Sequence, residues 1–446
     1  MKKIILCLLA LSFICLNAKE NLTIYNDNFA VVRSQFDIQL EKGVQNYLFD
    51  DIPSQIEATS LVFKSKDNKL KLFAQNYEYD LANSDAILRK YLNAQISIIL
   101  KDNSEFSGIL IFFDNQSIGL QDKSTKELYL LNKYELKNIR LKNLPENFYI
   151  KPTLNWQVNA PEKGKFPVDI SYITRGLKWF VTYNAVLTGN TMELTPWVTL
   201  DNQSGKAYND ISLKLVAGDV NKMQPIQVRG GRSNTGMVMA KEDFAPPSFE
   251  EKEFADFRLY TLNQNVSVQD KQTKQMILFD PKTIDIEKIY DYNSMSAEVF
   301  SKVIFTNSKS KGLGEPLPKG VVKMYLKDAA DNNLEFVGED HINHTSLDQK
   351  VELTMGKAFD VIAKSKVIKD TKIGNETERE MQITIENKKK EDIKVRILHN
   401  LYNGNYTITK KNFNYTEKDA YSIYIERIIK AGTTDNISWT QRVKNY

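Results

Sequence analysis

Short runs in which every second residue is apolar dominate this chain, and they restrict most of it to strands. Tyr421–Arg427 (Tyr-Ser-Ile-Tyr-Ile-Glu-Arg) is one such run. Met381–Asn387 and Ile393–Leu398 are two more, joined by the lysine-rich run Lys388–Asp392, which reads as a solvated hairpin turn. A period of two sends alternate side chains to opposite faces of an extended backbone, so one face is buried and the other solvated. Tyr, Phe, Ile, Val and Thr fill the runs and pack well on a pleated surface. Asn, Asp, Gly and Lys punctuate them as turns. Helical spacing is scarce. Its clear case is Ser84–Leu92, where Ser84 supplies a cap and Ile87, Leu88 and Tyr91 fall on one face. The predicted class is all-β.

A length of 446 residues predicts two or three domains. The first 18 residues read as a signal peptide. Lys2 and Lys3 give a positive start, Ile4–Leu16 is almost wholly apolar, and Ala18 is small. That run is too short to span a bilayer and has the wrong flanks. Both cysteines, Cys7 and Cys15, fall inside it, each preceded by a large residue (Leu6, Ile14) that does not suit a lipoprotein cleavage site. The expectation is an exported chain, cleaved after Ala18, with no cysteine in its mature part and no transmembrane segment. Export without cysteines fits a bacterial envelope, periplasm or cell surface, better than eukaryotic secretion.

Three segments follow residues 1–18. Residues 19–90 form an N-terminal β domain, from Leu22–Tyr25 to Leu70–Phe73. Residues 91–146 form a small unit of five short strands: Gln95–Leu100, Glu105–Phe113, Ser117–Gln121, Glu127–Leu131 and Leu136–Leu141. Gly108 marks a bend or bulge in the second. Five strands in so short a stretch suit an SH3-like or Sm-like barrel. Residues 147–446 are long enough for a β-sandwich. Its breaker-rich stretch, residues 229–255, carries Gly, Pro and clustered charge and reads as a mobile loop. Strands on both sides of that loop are expected to share one core.

Two groups of residues go beyond pattern. One is Ser171–Trp179 through Tyr183, with Trp197 and Asn202–Asp210 downstream. The other is Glu315–Tyr325, Phe336–Asp340, His344-Thr345 and Leu353–Asp360, with spaced Pro-Leu-Pro and Gly-Glu-Asp blocks. With Leu22–Asn26 and Gln75–Asp80, they resemble the exported bacterial family carrying domain of unknown function 4139, shared with mucoidy-inhibitor-A-like proteins. The resemblance spans most of the mature chain. It implies a mainly β envelope protein and supplies no catalytic residues. Many relatives carry a coiled coil before this domain. This chain has no heptads, and the small five-stranded unit stands in that place. In purely physical terms, Pro316 and Pro318 stiffen the entry to a strand. Trp156, Trp179, Trp197 and Trp439 read as core anchors, with a carbohydrate platform as the alternative for one of them.

Chemistry is constrained mainly by what is missing. The formal net charge is +4 before Lys2 and Lys3 are removed, with no basic patch, so nucleic acid is not an expected partner. No Gly-x-Ser-x-Gly elbow, phosphate loop or His-Glu-x-x-His occurs. The histidines are His341, His344 and His399. His341 and His344 have Asp340 nearby, but structural roles are expected rather than a metal site. Asp328–Asn333 has oxygen ligands without the alternating spacing of a calcium loop, and is expected to be a hairpin turn. Asn343 and Asn405 open Asn-x-Thr triplets, expected by chance in an Asn-rich chain. No catalytic, metal or cofactor residue is assigned. The expected function is a non-catalytic binding or scaffolding module of the envelope, acting through protein contacts. The alternative is a carbohydrate-active protein, binding surface polysaccharide or hydrolysing it with two carboxylates.

Overall fold

Alternation becomes pairing along nearly the whole chain. The structure is a computed structural model that describes residues 19–79, 84–142, 148–218, 249–254, 257–296, 298–328, 330–401 and 406–444. Among the described residues, strands account for 66% and helix for 4%, which fixes the class as all-β. No described helix is long and apolar enough to cross a membrane. The predicted signal peptide lies outside the described residues. The chain divides into two compact units. One comprises residues 1–178, 201–215 and 265–273; the other comprises residues 179–200, 216–264 and 274–446.

In the first unit, strands run side by side in the order Tyr208–Ala217, Lys19–Tyr25, Phe29–Leu40, Gly164–Arg175 and Val62–Ser65. Lys19–Tyr25 and Phe29–Leu40 pair antiparallel, with Lys19 opposite Gln35. A three-stranded sheet, Gly43–Phe49, Thr153–Ala160 and Lys71–Glu78, adds a second layer. Aromatic rings couple the layers. Phe36 stacks on Phe49 at 4.6 Å, Phe49 on Trp156 at 5.3 Å, and Phe63 meets Trp156 edge-on at 5.1 Å. Such pairs add about 0.5–1.5 kcal/mol each beyond burial.

The small unit has its own core of Leu88, Tyr91, Ile96, Ile98, Leu110 and Ile118, with Ile87 packed against it. The helix runs Ser84–Lys90, two residues shorter than its spacing predicts. The strand order is Leu136–Leu141, Gln95–Leu100, Glu105–Phe113, Ser117–Gln121, Leu128–Asn132. Among the described residues no pairing closes the two ends of this sheet. Gly108 is not the bulge. It pairs in register with Ile96, and the irregularity lies between Leu110 and Phe112. Glycine is needed there because a Cβ would sit 2.6 Å from the Gln121 carbonyl oxygen.

In the second unit, strands from before and after residues 219–248 pair. Val181–Leu187 runs parallel to Gly320–Leu326, and Thr191–Leu194 pairs with Lys282–Asp285. Residues 229–248 of the breaker-rich stretch lie outside the described residues. Its last part is no loop: Phe249–Phe254 pairs with Phe257–Leu262. Pro316 and Pro318 lack amide hydrogens, but their carbonyls accept from the Tyr260 hydroxyl (3.2 Å) and the Tyr183 hydroxyl (2.7 Å).

The C-terminal part of this unit is a sandwich. A six-stranded sheet ordered Lys350–Lys357, Val299–Thr306, Glu287–Asn293, Ile393–Asn400, Ser422–Ile429, Tyr415–Asp419 forms one layer. The other is Val361–Ile373, Glu376–Asn387, Thr434–Lys444, Tyr406–Thr409. Val395, Ile397 and Ile425 from the first meet Ile383, Ile385 and Ile437 from the second. The lysine turn at Lys388–Asp392 is therefore not a hairpin. Its two strands belong to different layers, so it carries the chain across the sandwich. Period-two patterns mark strands but not which sheet each joins. Ile383 is fully buried at the centre of this core. Ile383→Ala is expected to cost about 2–5 kcal/mol, read as a lower midpoint in urea denaturation.

Candidate functional site

The three histidines do not converge. His341 is 79% exposed, with Nδ1 3.3 Å from Asp340. His344 Nδ1 accepts from the Lys319 amide at 3.2 Å. Among the described residues no cluster of three or more His, Cys, Asp or Glu could hold a metal. Asp328–Asn333 closes a turn, with the Asp328 amide donating to the Asn333 carbonyl and the Asn332 amide to the Asp328 carbonyl. Trp156, Trp179 and Trp439 are buried. Trp197 is half-buried.

His399 is the buried one, and no motif around it points to its partners. The Trp439 indole N–H donates to Gln441 Oε1 at 3.0 Å, which fixes that atom as the amide oxygen. The same oxygen therefore accepts from His399 Nε2–H at 2.9 Å. Nδ1 is left bare, and it accepts from the Ser294 hydroxyl at 2.8 Å. Burial lowers the His399 pKa below its ordinary value, with the Gln441 hydrogen bond opposing. A neutral imidazole aimed at a serine is the first half of a nucleophilic site. The second half is missing locally. The amides of Ser294, Met295 and Ser296 are spent on the Leu398 carbonyl, Asn293 Oδ1 and the Asn293 carbonyl. Among the described residues of this turn, no pair of free N–H groups remains beside Ser294 to hold an oxyanion. The chain of bonds ties the Glu287–Asn293 strand end to the Thr434–Lys444 strand.

Carboxylates are similarly committed. Arg396 holds Glu352 through two bonds of 2.8 and 2.7 Å and reaches Asp291 at 2.9 Å. The Arg396 bonds pull the Glu352 pKa down to about 2. Burial raises that of Asp291, but bonds from Arg396 and Lys302 outweigh it and hold it low. Neither can store a proton near neutral pH, as the acid of a hydrolase must. In the first unit, buried Lys206 places Nζ 2.8 Å from Glu20 Oε1, 2.8 Å from the Asp51 carbonyl and 2.9 Å from Asp51 Oδ2. All three ammonium hydrogens have acceptors, and Ser34 donates to Glu20 at 2.9 Å. A shallow cavity of about 660 Å³ opens beside Phe63, Lys66, Asn68 and Leu72. Its lining has a single carboxylate, Asp169, which pairs with Lys66 at 3.3 Å.

What stays uncommitted is on the small unit's open end. Leu128–Asn132 terminates its sheet, carries no charge, and shows Leu128 and Leu130 at 57% and 65% exposed. Leu130 lies opposite Gly119, and Gly119 lies opposite Phe112. The Phe112 ring covers Gly119 so closely that a Cβ there would fall 2.3 Å from it. Phe112, Leu130 and Leu128 thus form an exposed apolar row running out to an unpaired edge. Some other terminal strands are guarded. Val361–Ile373 carries Lys364, Lys366, Lys369 and Lys372 with a register shift, and Phe249–Phe254 carries Glu250, Glu251 and Lys252.

No protein-family profile matches the chain. No curated protein matches it either. Among solved structures, a chain titled "putative protease" from Parabacteroides distasonis covers 94% of this chain and 93% of its own, at 7% identity and a TM-score of 0.13. At that score the likeness carries no argument about fold or function.

His399 sets a pH dependence. Its folded pKa lies below the unfolded value of about 6.5, so the unfolded chain takes up the proton first. Stability from this group is fully present above pH 6.5 or so and is lost as pH falls through the folded pKa. Urea midpoints measured from pH 7.5 to 5 should fall for the parent chain, and His399→Gln should remove the histidine part of that fall.

Proposed function

We propose that this is a non-catalytic protein of a bacterial cell envelope that holds a protein partner by strand addition. The observation that carries this reading is the uncharged end strand Leu128–Asn132 with its apolar row. An unpaired strand offers a ladder of N–H and C=O groups, and the pockets between alternate side chains add selectivity. The committed state of His399, Asp291, Glu352 and Lys206 supports binding over catalysis. Export rests on the charged, apolar and small residues at the start of the chain and on the lack of cysteine in residues 19–446. Membership of the mucoidy-inhibitor-A-like family belongs to the same proposal.

Two measurements test it. Capture from bacterial envelope extract should recover a discrete partner, and the Leu128→Lys/Leu130→Lys variant should weaken capture at least tenfold while its circular dichroism stays unchanged. Equal capture by the variant would sink the strand-addition reading. The mass of the protein recovered from its native envelope should match a chain starting at Lys19; a retained Met1 would remove the export argument.

A further inference from the structure

A second uncommitted surface lies on the three-stranded sheet of the first unit. Its outward residues follow from register. Asn155 lies between Leu48 and Asn76, Gln157 between Asn46 and Ala74, and Asn159 between Val44 and Lys71. Phe73 sits at the register shift and is 55% exposed. Five side-chain amides therefore share one face: Asn46, Asn76, Asn155, Gln157 and Asn159. Val44 and Leu48, 59% and 53% exposed, edge it on one side, and Phe73 on the other. The charged groups Lys71 and Glu78 are confined to the two ends of the Lys71–Glu78 strand.

These amides differ from others in this chain. Asn202, Asn307 and Asn387 are buried and spend both ends of their amides on backbone groups. Asn46, Asn76 and Gln157 are exposed, whereas Asn155 is half-buried and its Oδ1 is a buried oxygen without a hydrogen-bond partner. In a chain where 26% of residues are charged, a neutral sheet face of five amides calls for a cause.

We propose that this face binds a neutral polysaccharide. The exposed amides of Asn46, Asn76 and Gln157 each carry a donor and an acceptor in one plane, and so does a hydroxyl-bearing sugar edge. Amides cost far less to strip of water than charges do, so a neutral hydroxylated ligand can be engaged without a large desolvation penalty. Phe73 offers a flat apolar face against which a sugar ring can stack. A nucleic acid or an acidic glycan would need cations, and only Lys71 is present. A protein partner would need a contiguous apolar centre, but here the apolar residues lie at the margins and the amides in the middle. This site is separate from the Leu128–Asn132 strand, so either proposal can fail without the other.

The test is affinity electrophoresis of the full chain in gels containing dextran, laminarin, yeast mannan or chitohexaose, with alginate as the anionic control. Retardation by at least one neutral glycan is expected, and none by alginate. Asn46→Ala/Asn76→Ala/Gln157→Ala should weaken that binding at least tenfold. These side chains point outward, so an unchanged unfolding midpoint is the folding control. Leu128→Lys/Leu130→Lys should bind the glycan as the parent does. The proposal is overturned if no neutral glycan retards the protein, if alginate retards it equally, or if the triple variant binds like the parent.

Discussion

Everything in this fold depends on satisfying the backbone where strands end. Residues 19–446 contain no cysteine, so no disulfide fixes the turns. Buried asparagines do that work. Asn307 donates to the Glu315 and Ser346 carbonyls and accepts from the Gly314 and Glu315 amides. Asn387 donates to the Glu391, Ile429 and Lys430 carbonyls and accepts from the Lys389 amide. Asn202 does the same between the Lys206, Val268 and Gln269 carbonyls and the Ser204 amide. A lone amide in the core is a liability of about 1–3 kcal/mol. Fully bonded, it holds two or three chain segments that no strand ladder reaches.

The same economy governs charge. Lys206 and Arg396 are buried; Lys206 is saturated by two carboxylates and a carbonyl, and Arg396 is held by the carboxylates of Asp291 and Glu352. An ion pair of this kind adds little net stability over apolar residues of similar volume, because desolvation offsets the attraction. Its removal on one side is what costs. These pairs therefore select an arrangement of strands more than they strengthen it. They also take titratable groups out of use, since a carboxylate held near pKa 2 has no proton to give at neutral pH.

Much of the local structure was legible. Alternation located the strands, and the five segments of the small unit fall within a residue or so of their expected ends. Leu88 and Tyr91 faced a core as their helical spacing required. Partnership was not legible. Met381–Asn387 and Ile393–Leu398 look like a hairpin because only five residues part them, yet they lie in different layers. Nothing local distinguishes the two outcomes, because a period of two fixes which side chains are buried but not against what. Ser294, His399, Trp439 and Gln441 meet from three distant segments, as do Glu20, Asp51 and Lys206, and pattern reading has no access to such convergence. The neutral face was hidden for the same reason. Asn46, Asn76 and Gln157 are unremarkable in an Asn-rich chain until register aligns them.

That register also explains why two surfaces stand apart from the rest. A chain built mostly of strands has many terminal ones, and each invites pairing with another chain. Here the ordinary answer is lysine, as in Val361–Ile373, where four of them and a register shift guard a long exposed edge. Leu128–Asn132 and Gly43–Phe49 lack that protection: both are sheet ends, both are free of charge, and both show apolar side chains. The end strand Tyr406–Thr409 is uncharged as well, but its Tyr406 and Ile408 pack against the sandwich core, whereas the apolar side chains of these two edges face solvent, an arrangement with a standing cost in self-association. The two then divide by chemistry. Around Leu128 the neighbours across the sheet are glycine and phenylalanine, which favours an apolar strand. Around Asn46 they are amides, which favours hydroxyls.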